Sequence, residues 1–314
     1  MRYINQVLAD RIDQKLAVIQ HMRPLPVSAV EKLRQQFALE MTYNSNAIEG
    51  NRLSLKETFL VISEGITIKG RSLKDHLEAK DHYDAMNFLF DFVEKDQKHE
   101  LSEIFIRNIH QIIMKGTDPD WAGRYRNGNV VITGSTHKPC SPFEIAPNVG
   151  ALISWAKENK QTLHPVELAA LVHHKVVYIH PFFDGNGRTC RLIMNLLLMQ
   201  EGYPLVIILK NDRRKYYRVL EQADKGNHLP LVQFIAQSVE RSLNMYIKAL
   251  APMTQPTEDF ILLAELSKLS TYSTKYLNLL ARTGKIEAYK EKRNWLSSKE
   301  ALERYISSRQ RKRR

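Results

Sequence analysis

HPFFDGNGRTCR, residues 180–191, joins two segments that are apolar on nearly every side, residues 166–179 and 188–199. Such segments are typical of helices at the centre of a domain, and both are too short to cross a bilayer. A loop with two glycines between central helices is costly, because glycine loses more conformational entropy on ordering than any other residue. The loop is therefore predicted to serve a function beyond joining two helices.

The chemistry of this loop favours an anion as its ligand. Gly185 and Gly187 allow backbone amides to approach a ligand, and the helix that begins near Arg188 directs its free amides and its positive dipole end to the same place. Arg188 and Arg191 are three residues apart and share one helix face. Two cations at a positive helix end imply a bound polyanion such as the phosphate chain of a nucleotide.

Two further loop residues suit phosphate transfer. Asp184 offers a hard oxygen ligand for Mg²⁺, which takes one or two carboxylates and completes its shell with phosphate oxygens and water. His180 can exchange a proton near neutral pH. The common phosphate motifs do not account for the loop, because the chain has no GxxxxGK[ST] and no third glycine after a strand.

Composition indicates a folded, cytoplasmic protein. Of the 314 residues 43% are hydrophobic and 25% are charged, as in ordinary globular chains. Cys140 and Cys190 are too few for a disulfide framework or a four-cysteine zinc site. The first residues lack the layout of a signal peptide, and no apolar stretch approaches a membrane span. We therefore expect no contact with a membrane.

The pattern along the chain predicts a mainly α fold with four parts. Residues 1–100 form an N-terminal helical region, 101–250 a helical core, 251–257 a linker with two prolines, and 258–314 a small C-terminal domain. Within the core, β-branched residues between Asn-Gly and Thr-Gly predict a β-hairpin over residues 125–138 that contains Val130, Val131, Ile132 and Thr133.

The excess positive charge lies in the C-terminal part. The whole chain has a net charge of +12, and residues 258–314 hold 14 basic and 7 acidic side chains. The order predicted here is helix 258–268, helix 274–282, a short hairpin or wing, and helix 298–306. A polyanion partner is most readily bound there.

Residues 180–191 match the motif HPFx[DE]GNGRxxR, and the chain therefore resembles the Fic (fido) family over about residues 1–250. The resemblance implies a Fic-type helical core with a β-hairpin flap. It also implies transfer of AMP from ATP, with Mg²⁺, to a Ser, Thr or Tyr hydroxyl of a target protein, and the chain itself is a candidate target. Homodimers also occur in this family.

The resemblance assigns roles to individual residues. His180 would accept the hydroxyl proton, Asp184 would hold Mg²⁺, and residues 130–133 would dock the target by strand addition. The residues implied in ATP binding are Gly185, Asn186, Gly187, Arg188, Arg191 and, beside the adenine, Tyr217. Tyr216 and Tyr217 have the competing interpretation of core aromatics, and His110, His173 and His174 are interpreted as structural histidines.

A second motif lies upstream. Residues 45–50, Ser-Asn-Ala-Ile-Glu-Gly, resemble the inhibitory signature [ST]xxxE[GN] of the same family. The resemblance implies that Ser45, Glu49 and Gly50 form a brake, in which Glu49 pairs with Arg191 in the place of the ATP γ-phosphate. In some relatives the same glutamate aligns water to remove AMP.

Residues 258–314 resemble excisionase-like winged helix-turn-helix domains. This resemblance implies contact with the major groove of DNA through Lys275, Tyr276, Asn278 and Arg282, and with phosphates through Lys290, Lys292, Arg293 and residues 309–314. Docking of a protein is the competing interpretation. For the whole chain the alternatives are removal of AMP, another Fic-type phosphotransfer, a DNA-binding regulator and a nucleotide sensor without turnover.

Overall fold

The computed structural model describes residues 3–22, 27–95, 100–250, 259–291 and 294–311. It confirms the mainly α fold. The helices of the first 250 residues are α1 Gln6–His21, α2 Val27–Ile48, α3 Leu55–Ser63, α4 Leu73–Lys95, α5 Glu103–Met114, α6 Ile145–Asn159, α7 Pro165–Ile179, α8 Asn186–Gln200, α9 Arg213–Asp224 and α10 Leu229–Leu250.

The two helices that flank the glycine loop lie at the centre of the molecule. α7 starts with Pro165, whose fixed φ suits a first helical turn, and α7 and α8 pack along each other. Side chains of α7 and α8 contribute to two apolar clusters, one shared with α2, α4, α5 and α6 and the other with α1, α9 and α10. Packing on both sides therefore fixes the loop between them.

The hairpin predicted over residues 125–138 is wrong. Residues 125–141 contain no strand. One backbone turn lies within them, closed by the hydrogen bond that the Ser135 amide donates to the Ile132 carbonyl. The buried guanidinium of Arg126 donates instead to the carbonyls of Gly128 at 2.9 Å and Cys140 at 2.6 Å. A side chain thus joins the two ends of the segment, where the prediction had a ladder of backbone hydrogen bonds.

The C-terminal part forms a small unit with its own core. Its elements are β1 Ile261–Leu262, α11 Leu263–Lys268, α12 Thr274–Arg282, β2 Tyr289–Glu291, β3 Asn294–Ser297 and α13 Lys299–Arg311. The strands form an antiparallel sheet in the order β1-β3-β2. Residues of this unit form one small hydrophobic cluster, whose buried members include Leu266, Leu277, Leu280 and Ile286.

Most of the predicted order holds in this unit, with one error. The helix predicted over 258–268 begins only at Leu263, because Ile261 and Leu262 pair with Ser297 and Leu296 of β3. The second helix and the strand pair are confirmed. The linker 251–257, Lys292, Arg293 and residues 312–314 lie outside the described residues.

A buried charge cluster joins the C-terminal unit to the helical core. The Arg11 guanidinium donates to both Glu240 carboxylate oxygens, at 2.7 and 3.0 Å, and to the Gly284 carbonyl at 3.1 Å. Lys15 pairs with Glu287 and lies 3.6 Å from Glu240. Helices α1 and α10 therefore hold the end of α12 and the chain that follows it.

Among the residues described, no helix combines the length and the apolar character needed to cross a membrane.

The Arg11 cluster predicts a measurable loss of stability. Arg11→Ala leaves Glu240 with a weaker partner in a buried place, so we expect the free energy of unfolding to fall by about 2–3 kcal/mol. Urea denaturation followed by circular dichroism measures this. The control is Lys157→Ala, which removes the exposed Lys157–Glu100 pair and should change stability by less than about 1 kcal/mol. Equal losses in the two variants would contradict the prediction.

Candidate active site

The loop between α7 and α8 is a compact, self-bonded turn. α7 ends at His180, whose φ of +52° makes it the one non-glycine residue with positive φ in the described part of the chain. The Asn186 side chain accepts from the Phe182 amide at 3.0 Å and donates to the Phe182 carbonyl at 2.8 Å. Asn186, predicted to contribute its amide, therefore also closes the loop with its side chain. Strained backbone held by its surroundings is a common feature of functional sites.

His180 is arranged to accept a proton. Its Nδ1 lies 3.3 Å from the Val177 carbonyl, so Nδ1 carries the hydrogen and Nε2 keeps its lone pair. The Arg126 guanidinium donates to the His180 carbonyl at 2.8 Å and holds the backbone at this point. Burial, together with the nearby Arg126 charge, lowers the pKa of His180, although the bond with Val177 opposes this.

The Asp184 carboxylate is half exposed and faces cations. Its Oδ2 lies 3.6 Å from Lys74 Nζ, and its Oδ1 lies 3.5 Å from Arg188 Nη2 and accepts from the Gly185 amide at 2.6 Å. Burial alone would raise the pKa of Asp184, but Arg188, the Gly185 amide and Lys74 outweigh burial and lower it. The carboxylate is therefore ionised at neutral pH and accessible to a cation.

The two arginines of α8 are buried, and their hydrogen-bonding capacity is only partly filled. Arg188 lies between Asp184 and Glu78, whose Oε1 is 3.3 Å from Arg188 Nη1. Both arginines are 1% exposed. Within the described residues Arg188 Nε and Nη1 and Arg191 Nη1 have no hydrogen-bond partner of good geometry. Buried donors of this kind normally have partners, so these atoms indicate an acceptor that is supplied from outside the chain.

The remaining donors of Arg191 bind the end of α2. Nη2 donates to Glu49 Oε1 at 2.7 Å and to the Ser45 carbonyl at 2.9 Å, and Nε donates to Ser45 Oγ at 2.9 Å. Gly50 follows with a φ of +104°, which lets the chain turn away after the helix. A Cβ at Gly187 would collide with the Glu49 carboxylate. Glu49 thus lies directly against the glycine loop, as the sequence pattern predicts.

Residues of α9 hold the same turn of α2. Arg213 Nε donates to the Ile48 carbonyl at 2.7 Å and the Tyr217 hydroxyl donates to it at 3.2 Å. Tyr217 is 37% exposed and stacks under Arg213, whereas Tyr216 is buried with its hydroxyl 2.8 Å from His173 Nε2. Tyr217 therefore lies beside the predicted inhibitory segment, and Tyr216 belongs to the core.

Several contacts at the site were not predicted from the sequence. Lys74, Glu78, Arg126 and Arg213 were not singled out, because each comes from an ordinary helical or loop segment whose position depends on tertiary packing. His110 was interpreted as structural, yet its Nε2 lies 3.0 Å from the Asp184 carbonyl. Burial lowers the pKa of His110 to about 4, so its ring is neutral at neutral pH. The contact of His110 with Asp184, 74 positions along the chain, was not predicted by periodicity or spacing.

The residues predicted to dock other macromolecules are exposed or half-buried, and Tyr276 packs against the core of the C-terminal unit with its hydroxyl 3.0 Å from that of Tyr305. Val131 is 91% exposed, and His137 Nε2, 2.8 Å from the Tyr178 carbonyl, fixes the segment 127–138 to α7. Lys275, Tyr276, Asn278 and Arg282 lie together on α12 and line one shallow groove with Ser273 and Leu279.

Comparison with known proteins identifies the class of this fold. A model of the Fic/DOC family matches residues 100–198. A protein from Nematostella vectensis named protein adenylyltransferase Fic is 34% identical over 251 residues, which are 79% of this chain and 57% of that protein. The chain spans about half the length of the curated relatives it matches.

Solved structures give the same result. A Fic domain-containing signaling protein from Bacteroides thetaiotaomicron is 32% identical with a TM-score of 0.71, over 76% of this chain and 97% of that one. Fic-1 from C. elegans is 32% identical with a TM-score of 0.70, over 78% of this chain and 71% of that one. The fold and the loop define a helical protein with a Fic core. The chain belongs to the Fic/DOC family, as its sequence motif predicts.

The environment of His180 predicts its titration. Because the pKa of His180 is lowered, less than half of its imidazole population is protonated at pH 6.5, where half of an ordinary histidine population is protonated. Histidine-selective NMR of the full chain, with the resonance assigned by its loss in His180→Ala, should give a midpoint below 6.5. A midpoint at or above 6.5 would contradict the described environment.

Proposed function

We propose that this chain is a protein adenylyltransferase, which transfers AMP from ATP to a Ser, Thr or Tyr hydroxyl of a target protein. The observation that carries the proposal is the meeting of three features at one loop: the Nε2 of His180 and the donors of Arg188 and Arg191, which lack partners among the described residues, and the amides that begin α8. The names of the curated relatives support the same reaction.

The proposed reaction uses each feature once. The target oxygen forms a bond to the α-phosphorus of ATP, the bond from that phosphorus to pyrophosphate breaks, and the hydroxyl proton moves to His180 Nε2. The amides of Gly185, Asn186 and Gly187 and the Arg188 guanidinium hold the phosphates, and Arg191 binds the γ-phosphate. Pre-arranged donors stabilise the charge that develops in such a step. Tyr217 is the proposed neighbour of the adenine.

The residues present fit a single bound Mg²⁺. Asp184 is ionised and half exposed. The structure's described ranges contain no cluster of three or more His, Cys, Asp or Glu side chains suited to a metal. Mg²⁺ commonly takes only one or two protein carboxylates, with phosphate oxygens and water as its other ligands. Asp184 would hold the ion, which when bound neutralises charge on the phosphates.

We further propose that Glu49 inhibits the enzyme. Its carboxylate accepts from Arg191 Nη2 at 2.7 Å and lies against Gly187, where the phosphate end of ATP would bind. A hydrogen bond between charged groups contributes about 1.5–3 kcal/mol, enough to lower activity roughly 10- to 100-fold. Ser45 and Gly50 support this contact. Ser45 accepts two hydrogen bonds from Arg191, and Gly50 lets the chain turn away after the helix.

The segment 127–138 is the proposed docking site for the target. It is exposed at Val131, it includes Val130, Ile132 and Thr133, and it forms no strand pair. An extended target segment could therefore pair with its backbone. The chain itself, presented by a second copy, is one candidate target.

Labelled ATP tests the proposed reaction. The Glu49→Gly protein, incubated with Mg²⁺ and ATP labelled at the α-phosphate, should label protein about 10- to 100-fold faster than the unmodified chain. Label at the γ-phosphate should not be transferred. His180→Ala in the same background should lower the rate by a factor of about 10² to 10⁴, because proton transfer is lost.

The other outcomes point to the alternatives. Label from the γ-phosphate alone would indicate a kinase-type reaction. No label from either position, with ATP binding seen by calorimetry, would indicate a nucleotide sensor. Loss of AMP from a pre-labelled protein would indicate removal of AMP, and Glu49 would then align the attacking water.

A second candidate function is contact with DNA through the C-terminal unit. The observation that favours it is the exposed face of α12, where Lys275 and Arg282 are seven residues apart and therefore lie on one side of the helix. The strand pair β2–β3 follows α12 as a wing would. Tyr276 and Asn278 line the same groove.

Salt dependence tests this second candidate. Binding of the full chain to a duplex of about 30 base pairs should weaken steeply between about 50 and 200 mM salt, and Lys275→Ala, which removes a predicted major-groove contact, should weaken binding by about 1–3 kcal/mol. Fluorescence anisotropy measures the binding, and Lys157→Ala on α6 is the control. Absence of binding at the lowest salt would reject contact with DNA.

A further inference from the structure

His110 is a buried histidine that contacts the glycine loop from a neighbouring helix. It lies on α5, and its ring stacks on Phe182 with the centroids 3.6 Å apart and the planes 3° apart. Its exposed fraction is 2%. Phe182 is itself fully buried and also contacts Tyr125. The imidazole is therefore fixed in position beside the loop.

The hydrogen bonds of His110 determine which nitrogen carries the proton. The Gly123 amide donates to Nδ1 at 2.9 Å, and because a backbone amide can only donate, Nδ1 must be the unprotonated nitrogen. Nε2 then carries the hydrogen and donates to the Asp184 carbonyl at 3.0 Å. The turn at Gly123 thus selects the tautomer that binds the loop.

The Asp184 carbonyl belongs to the same planar peptide group as the Gly185 amide. In a trans peptide the C=O and N–H point in opposite directions, so a donor that holds the carbonyl also sets the direction of the amide. Here that amide donates to Asp184 Oδ1 at 2.6 Å. One peptide group therefore connects His110 to the carboxylate proposed to hold Mg²⁺ and to the first amide of the proposed phosphate site.

The glycine at position 185 makes this peptide easy to rotate unless another group restrains it. Gly185 has a φ of +75°, and glycine adopts positive and negative φ with similar ease, so the 184–185 peptide could rotate at little cost. His110 also approaches closely, because a Cβ at Gly185 would lie 3.2 Å from Nε2 and 2.9 Å from Met114 Sδ. The donor on His110 supplies the restraint that the glycine lacks.

We propose that His110 is a positioning residue for the nucleotide site: its Nε2–H fixes the 184–185 peptide, and the Gly185 amide of that peptide in turn holds the Asp184 carboxylate at the phosphate end of the ligand. The inference rests on the proposed function for its effect on ATP. The restraint on the 184–185 peptide follows from the contacts in the free protein and does not depend on ATP.

Two matched substitutions separate the two hydrogen bonds of His110. In the Glu49→Gly background, His110→Asn keeps an acceptor near the Nδ1 position for Gly123 and loses the donor to Asp184. His110→Gln places an amide donor near the Nε2 position and loses the acceptor. Both remove the ring that stacks on Phe182, so a merely structural role predicts equal effects on activity.

We expect the two variants to differ in transfer of AMP. His110→Asn should lower kcat/KM for ATP by roughly 10- to 100-fold, as misplacement of a binding group does, and should need more Mg²⁺ for half-maximal rate. His110→Gln should stay within about threefold of its parent. Equal losses in the two variants, with equal falls in Tm, would overturn the proposal.

A spectroscopic readout tests the free protein without turnover. Asp184-Gly185 is the one Asp-Gly pair in the sequence, so labelling with ¹³C-carbonyl aspartate and ¹⁵N-glycine gives a single peptide correlation. We expect this signal to shift in His110→Asn and to stay near its parent position in His110→Gln. A signal that moves equally in both variants would contradict the proposal.

The protein without any change at His110 provides a final check. ¹⁵N shifts of its imidazole should show Nε2 protonated and Nδ1 unprotonated, and the opposite tautomer would overturn the proposal. These signals do not depend on turnover. If the Glu49→Gly parent transfers no AMP, the proposed function fails, while the tautomer and the peptide signal still decide whether His110 fixes the loop.

Discussion

The buried guanidinium of Arg191 is the contact on which the arrangement of the site depends. It joins the first turn of α8 to the last turn of α2 through Ser45 and Glu49, in a place where it is 1% exposed. An unpaired buried charge is costly, so Arg191 must keep an anionic partner. The Glu49 carboxylate lies against Gly187, so in the proposed function the phosphate that binds Arg191 takes the place of that carboxylate. The two partners therefore exclude each other.

The contacts around α2 determine which part gives way in such an exchange. The Ile48 carbonyl is held by Arg213 and Tyr217, and the Asn46 side chain donates to the Glu78 carbonyl at 3.2 Å. Moving the helix would break all of these bonds. The Glu49 side chain is 31% exposed, and within the described residues its carboxylate makes one bond, to Arg191, so rotating it breaks one charged contact. Release by rotation of the side chain, with α2 left in place, needs the smaller free energy.

Sequence reasoning succeeded where local pattern decides structure. The loop 180–191 and its flanking helices follow from glycine, charge and apolar periodicity, and the Glu49–Arg191 contact follows from a motif although 142 positions separate the residues. It failed at residues 125–138, because the buried Arg126 side chain replaced the backbone ladder, and at Ile261, which pairs with a strand far along the chain. His110 and Arg213 reach the site only through tertiary packing, which periodicity does not describe.

Two cations at the start of α8 oppose the helix dipole, which predicts a polyanion that offsets them. The structure supplies part of that charge internally, from Glu49 at Arg191 and from Glu78 and Asp184 at Arg188. Carboxylates of the chain itself thus largely balance the charge of Arg188 and Arg191, but they do not fill all the hydrogen bonds of the two guanidinium groups. Arg188 Nε and Nη1 and Arg191 Nη1 still lack good acceptors among the described residues. The carboxylates of Glu49, Glu78 and Asp184 leave these donors unfilled in the positions they take here, whereas the oxygens of a phosphate chain could be placed to meet them. The unfilled donors, more than the net charge, are therefore what favours a nucleotide at this loop.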